Sequence, residues 1–359
     1  MIAIKSILSA FQNIDFVSSI TSTIFIILLG FFLRKRQIFS DKFGKILSKV
    51  VLTVALPAMA FNSFMQPIDN ETLSQGMNIL IWGIVIYIIL IFVSPIPYLK
   101  FPKDKRTTLS VLTTFGSTTF FGIPIVGAVL GTKGIMYSSI FNIGYRIFLY
   151  SYAYIKMSGL KLEKNNIKQM FLNPVVIATF SGLILWLLQE YAPQITVSQA
   201  INGTLVTGGS HVSVAFYRID QTALWLFKPL QYLGNLSSPL AWLAIGSTLG
   251  SISFKKASSN KISWYYSFNK IVLVPLLNLL LLWILNITGI LPVSYVALAT
   301  IIIMMATPTA TVAATYAISF DRNAVLTSNA SLISTVLAVI AMPIWLALLQ
   351  IINQIHLFK

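Results

Sequence analysis

The chain has 359 residues, 56% of them apolar and only 9% charged, with a mean hydropathy of +0.82. Soluble domains carry about 25% charged residues, so this composition excludes a fold built around one water-facing core. The net charge of +16 is spread between apolar runs, which argues against nucleic-acid recognition, and the lack of cysteine excludes disulfides, thiolate metal sites and a cysteine nucleophile.

The first fourteen residues, with Lys5, read as an interfacial lead-in without the features of a cleaved signal. Apolar runs near twenty residues suit helices crossing a ~30 Å hydrocarbon layer. Ten follow, near 15–34, 46–65, 76–98, 108–131, 135–156, 173–190, 229–254, 262–286, 293–317 and 325–350. The expected fold class is therefore an all-α polytopic membrane protein with ten transmembrane helices. Between the sixth and seventh, residues 191–228 are unusually long for a connection. They contain TGGSHVSVAFYRID and are expected to form an exposed insertion.

Alternating the loops places 18 Lys/Arg on one side and 5 on the other. The rich side holds clusters at 34–49, 100–106, 156–168 and 255–261, with Arg322. The poor side holds Lys5, Lys133, Arg218, Lys228 and Lys359. Cytoplasmic loops carry the excess of basic residues, so both termini are expected on the extracytoplasmic side of the cell membrane. Arg146 and Lys270 remain, both inside predicted spans.

Pro57 in LTVALPAMAFNSF and Pro124 in GIPIVG are 67 residues apart; Pro239 in GNLSSPLAWLAIG and Pro308 in MMATPTATVAAT are 69 apart. Halves of five crossings each, 1–170 and 171–359, enter the bilayer from opposite faces, the pattern of inverted repeats with a binding site at their interface. Within FGSTTFFGIPIVGAVLG, Gly116, Gly122, Pro124 and Gly127 make an unbroken helix improbable, and ATPTAT at 306–311 does the same in the ninth crossing. Broken backbone at this depth lines a cavity or is buried in protein. Second half-helices are expected to begin near Pro124 and Pro308, facing each other. Their free N–H groups and dipoles would attract an anion, with Ser117, Thr118, Thr119, Thr307 and Thr309 as hydroxyl donors.

Arg146 in FNIGYRIFLY and Lys270 in SFNKIVLVP each cost at least ~2.5–3.5 kcal/mol to insert and need a partner. No acid lies deep in a span, so the partner is a set of backbone carbonyls at a helix break or a substrate anion; Arg146 fits either, and Lys270 is expected to snorkel towards the cytoplasm rather than contact the substrate. Asn62, Asn142 and Asn329 are weaker binding candidates, more often interhelical hydrogen bonders. Missing intramembrane carboxylates disfavour cation antiport. No GxSxG, HExxH, phosphate loop or histidine-based catalytic set occurs, so neither an enzyme nor a metal or cofactor site is expected.

LPAMAFNSF, FGSTTFFGIPI, NPVVIATFSGLIL at 173–185, LSSPLAWLAIGSTLG at 236–250 and STVLAVIAMPIWLALL at 334–349 resemble, in this order, the auxin efflux carrier family, particularly bacterial malate-permease-like members. The resemblance implies two inverted five-helix repeats with crossed, broken fourth and ninth helices. It implies a scaffold of helices 1, 2, 6 and 7, a moving transport domain of helices 3–5 and 8–10, and elevator-like transport of an organic anion without ATP. Ser117 stands where the family commonly has asparagine, and the 191–228 loop is unusual. The leading expectation is a secondary transporter of a small organic anion, with a dicarboxylate such as malate as substrate and a proton as the candidate co-transported ion. Sodium-coupled symport of the bile-acid-transporter type and a non-transporting receptor are the alternatives. The bilayer is the partner in every case, and a homodimer is one option for its assembly.

Overall fold

The computed structural model describes residues 14–40, 42–159, 172–201, 203–206, 211–251, 258–355 and 358. The lead-in to residue 13, Asp41, the charges within 160–171, Lys255, Lys256, Lys359, His356 and residues 207–210 of TGGS lie outside the described residues.

The fold is mainly helical. In chain order come α1 (Ile14–Lys35), α2 (Phe43–Ser63), α3 (Asn70–Val93), α4 (Lys103–Thr114), α5 (Thr118–Ser158), α6 (Pro174–Leu188), α7 (Leu224–Asn235), α8 (Ser237–Ser251), α9 (Lys261–Ile287), α10 (Tyr295–Met305), α11 (Thr311–Ser319) and α12 (Ala324–Gln354). Among the described residues, five stretches are long and apolar enough to cross a membrane, and Pro174–Leu188 and Tyr295–Met305 are shorter apolar helices. Side-chain caps define several starts. Asp69 accepts from Thr72 N at 2.7 Å, Asn173 from Val175 N and Asn260 from Ile262 N at 3.0 Å each, satisfying first-turn donors.

Prolines shape these helices by widening turns. π turns at Val51–Ala55, Thr118–Gly122 and Asn269–Leu273 each end two residues before a proline: Pro57, Pro124 and Pro275. A proline ring obstructs the carbonyl four residues back and offers it no donor, and one extra residue per turn relieves the crowding. The carbonyl so treated by Pro275, Ile271 O, accepts instead from Trp345 Nε1 at 2.9 Å.

Pro124 therefore does not start a half-helix. The chain is extended at Phe115 and turns helical at Thr118, six residues earlier than expected, because proline is tolerated within the first turns. Pro308 likewise lies in the unwound segment, and its helix begins at Thr311. The predicted loop between the fourth and fifth crossings contracts to Gly131, at φ 64° and ψ −154°. In a straight helix residues 126 and 134 stand ~12 Å apart along the axis. Here a Cβ on Gly134 would lie 2.9 Å from Val126 Cγ1, so the chain doubles back at Gly131.

Residues 191–228 hold more structure than a plain loop. Strand β1 (Gln194–Ser198) pairs antiparallel with β4 (His211–Ala215), and β2 (Ala200–Ile201) with β3 (Thr204–Leu205). A buried Arg218–Asp220 ion pair and Arg218 Nη1 on Gln189 Oε1 at 3.1 Å anchor this insertion to the end of α6. The following helix begins at Leu224 and is interrupted between α7 and α8.

Small residues set the closest contacts. A Cβ on Gly246 would collide with Ile27 O, which is how α8 lies against α1, and one on Gly144 would collide with Gly83 O, joining α5 to α3. α2 packs on α6 and α7; α9 packs on α10 and α12, and α10 on α5.

Candidate functional site at the crossed helix breaks

The extended segment after α4 and the one after α10 cross as a miniature antiparallel pair. Ser117 N donates to Pro308 O at 2.7 Å and Ala310 N to Phe115 O at 3.0 Å, with Gly116 opposite Thr309. Each break supplies partners the other lacks, which is the condition for irregular backbone inside a bilayer. Gly116 is required by proximity: a Cβ there would strike Thr307 Oγ1 and come within 2.9 Å of Lys270 Nζ.

Side chains satisfy much of the rest. Tyr266 Oη donates to Leu112 O at 3.0 Å and shares a 2.7 Å hydrogen bond with Thr309 Oγ1. Lys270 Nζ donates to Thr113 O at 3.0 Å. Thr309 N donates to Ser334 Oγ at 3.3 Å. The first N–H groups of α5 and α11 have no intrahelical acceptor, as at any helix start.

These starts border a cavity of about 630 Å³. Ser117, Thr119, Arg146, Pro308 and Thr309 line it together, as do Thr311 and Val312 from the first turn of α11. Lys45 and Lys49 line it from α2. No carboxylate is among its lining residues, and Asp220, in the insertion, is the only buried acid among the described residues.

Arg146 is 7% exposed and donates to Thr119 Oγ1 at 3.4 Å. A guanidinium has five N–H donors and no acceptor. This is its one hydrogen bond to protein among the described residues, so donor capacity remains at the cavity wall. The cavity lining thus combines three cations and several hydroxyls with no acid.

Other sequence candidates fall elsewhere. Thr118, Gly122, Pro124 and Thr307 are buried beside the crossing but do not line the cavity. Gly122 faces Met304, Pro124 O accepts from Ser238 Oγ at 2.9 Å, and Thr307 Oγ1 donates to Met304 O at 2.8 Å. Lys270 is held at the crossing itself. Asn142 is buried with neither amide atom hydrogen-bonded, and Asn329 is partly exposed on α12; neither lines the cavity. Asn62 lines a different cavity, of about 490 Å³, between the C-terminal end of α2 and the insertion, together with Arg218 and Asp220. Sequence reasoning counted Lys45 and Lys49 only as loop charge. Their spacing of four across KILSK, which puts both on one helical face, was the available signal.

The chain is 22% identical over 241 residues to an uncharacterised transporter of Methanocaldococcus jannaschii, covering 64% of this chain and 68% of that protein. It is 21% identical over 335 residues to one of Methanothermobacter thermautotrophicus, covering 91% and 96%. The family described as membrane transport protein matches residues 15–346. With that match over most of its length, the chain belongs to the membrane transport protein family, the auxin efflux carriers.

Proposed function

We propose that this membrane transporter is a secondary carrier of a small organic anion, with a dicarboxylate such as malate as the leading substrate. The observation that carries the reading is Arg146, buried and underused, in an acid-free cavity bordered by two crossed helix breaks. Helix starts and a guanidinium both favour a carboxylate, and the cavity has the size of a small-molecule site.

The inverted-repeat reading, 1–170 against 171–359, finds support in the pairing of one break from each half. Packing of α1, α2, α6, α7 and α8 with one another, and of α3, α5, α9, α10 and α12 with one another, suits a scaffold and a moving body. An elevator-like stroke of the second body would carry the crossing with its guest. Lys45 and Lys49 belong to the basic side, so the open cavity faces the cytoplasm in this reading, with both termini outside.

Inward movement of one negative charge against 100 mV costs about 2.3 kcal/mol. Uptake of a dianion therefore needs a proton, exchange or a steep gradient, whereas export does not. With no acid at the cavity, a proton would travel on the substrate. Counterflow in proteoliposomes with labelled malate, lactate, citrate and indole acetate tests the reading. Saturable exchange of malate that depends on pH and voltage is expected; no exchange of any of the four overturns it.

A further inference from the structure

We propose that Lys270 is a built-in counter-cation of the crossing, holding with its ammonium the place that a bound alkali cation would take, so that the carrier works without sodium. The inference rests on the transporter reading for its consequence in flux, but not for its structural basis.

Lys270 is 1% exposed, so its side chain does not reach out to the bilayer surface. Its Nζ donates to Thr113 O at 3.0 Å, one of the terminal carbonyls of α4. A Cβ on Gly116 would come within 2.9 Å of Nζ and would also strike Thr307 Oγ1, so Gly116 lies between the ammonium and the segment just beyond the end of α10. The C-terminus of α4 thus meets Nζ directly, and that of α10 ends close by on the other side of Gly116. Each carries about half a unit of negative charge, so together they call for roughly one positive charge. Unwound carbonyls and half-helix C-termini of this kind are where carriers of this design coordinate sodium. Here one covalently attached cation is already present.

No buried carboxylate competes for it. Asp220 is the only buried acid among the described residues, and it pairs with Arg218 in the insertion. The local backbone is arranged to keep Lys270 inside. The π turn Asn269–Leu273 buries Asn269, Lys270 and Ile271 in succession, whereas consecutive residues of an α-helix step ~100° around the axis. Trp345 Nε1 on Ile271 O at 2.9 Å fixes that turn.

A tethered cation returns with the carrier on every cycle. The net charge moved per turnover is then that of the substrate and anything bound to it, and a sodium gradient supplies no driving force.

The test uses purified full-length protein, melted in sodium chloride or choline chloride and assayed by malate counterflow in the same salts. Wild type should melt at one midpoint and exchange at one rate in both. Lys270→Ala should melt lower and regain its midpoint, saturably, with sodium or methylammonium, which can enter the vacated space. Lys270→Met, which fills that space without charge, should melt lower, show no cation rescue and lose counterflow by about tenfold or more. Sodium that raises the wild-type midpoint or its counterflow overturns the proposal. So does a Lys270→Ala midpoint indifferent to every cation, or a Lys270→Met protein exchanging at the wild-type rate. Absence of exchange with all four labelled anions would reject the transport reading instead, and the melting comparison would still decide the place of Lys270.

Discussion

Arg146→Gln removes the one cation that stands beside the crossed breaks in the cavity wall while keeping a polar side chain of moderate length. On the protein side the loss is small, a single 3.4 Å hydrogen bond to Thr119 Oγ1, and relief from burying a charge offsets it. On the ligand side the loss is larger. A hydrogen bond to a charged group contributes about 1.5–3 kcal/mol, and ~1.4 kcal/mol corresponds to tenfold in affinity. Affinity for the transported anion should fall about 10- to 150-fold on that scale, with the melting midpoint nearly unchanged. Arg146→Lys keeps the charge but loses the planar fork, and should fall between the two. Anion-dependent shifts of the melting midpoint give affinity, and counterflow gives transport. An Arg146→Gln protein that binds the anion as wild type does would refute the assignment, and so would a loss of transport fully accounted for by unfolding.

Three further outcomes follow from local geometry. Gly116→Ala pushes a methyl group into Thr307 Oγ1 and within 2.9 Å of Lys270 Nζ; overpacking of this kind costs about 1–3 kcal/mol, readable as a lowered midpoint together with reduced counterflow. Asp220→Asn leaves Arg218 buried without its 2.7 Å partner and should cost about 3–5 kcal/mol, whereas Asp104→Asn at the half-exposed pair with Arg322 should cost ~0–1 kcal/mol; limited proteolysis within the insertion would separate them. Asp69, capping α3, is held below its ordinary carboxylate value by the backbone N–H and then the hydroxyl of Thr72. Its folded-state pKa is depressed, so its stabilising share is present above the ordinary value of 3.8 and lost as pH falls through the lower folded value. Asp69→Asn should flatten that part of the acid limb of a stability profile, and an unchanged profile would refute the cap's contribution.

The presence of helix breaks was legible in the sequence because lipid makes glycine, proline and threonine clusters inside a span costly. Their positions were less so. Proline marks a start only loosely, and here the π turn before Pro124 moves the break back to Phe115–Ser117. The pairing of Gly116 with Thr309 is a contact across nearly two hundred residues and leaves no local trace. Lys270, expected to snorkel towards the cytoplasm, is instead buried, because the end of α4 supplies Thr113 O as its partner inside the fold. Asn62, a weaker candidate in the sequence, lies in the other cavity because the N-terminal part of α2, with Lys45, Lys49 and Thr53, lines the first, whereas its C-terminal end, with Met59 and Asn62, lines the second. The insertion's strands are short, and HVSVA alternates well enough to be read as one, but its partner Gln194–Ser198 could be found only from the fold.

In the proposed reading, the hydrogen bonds at the crossing decide what kind of guest it would take. The carbonyl ends of the broken helices are largely occupied: Val111 O by Phe115 N, Leu112 O by Tyr266, Thr113 O by Lys270, Ile302 O by Ala306 N and Met304 O by Thr307. The two extended segments exchange two hydrogen bonds, Ser117 N to Pro308 O and Ala310 N to Phe115 O. At the cavity, the first donor groups of α5 and α11 have no acceptor within their helices, and Arg146 makes one hydrogen bond to protein among the described residues. In the proposed reading an acceptor-rich guest would complete these donors, and a preference for anions would owe as much to donors left open at two helix starts as to the positive charge of Arg146, Lys45 and Lys49.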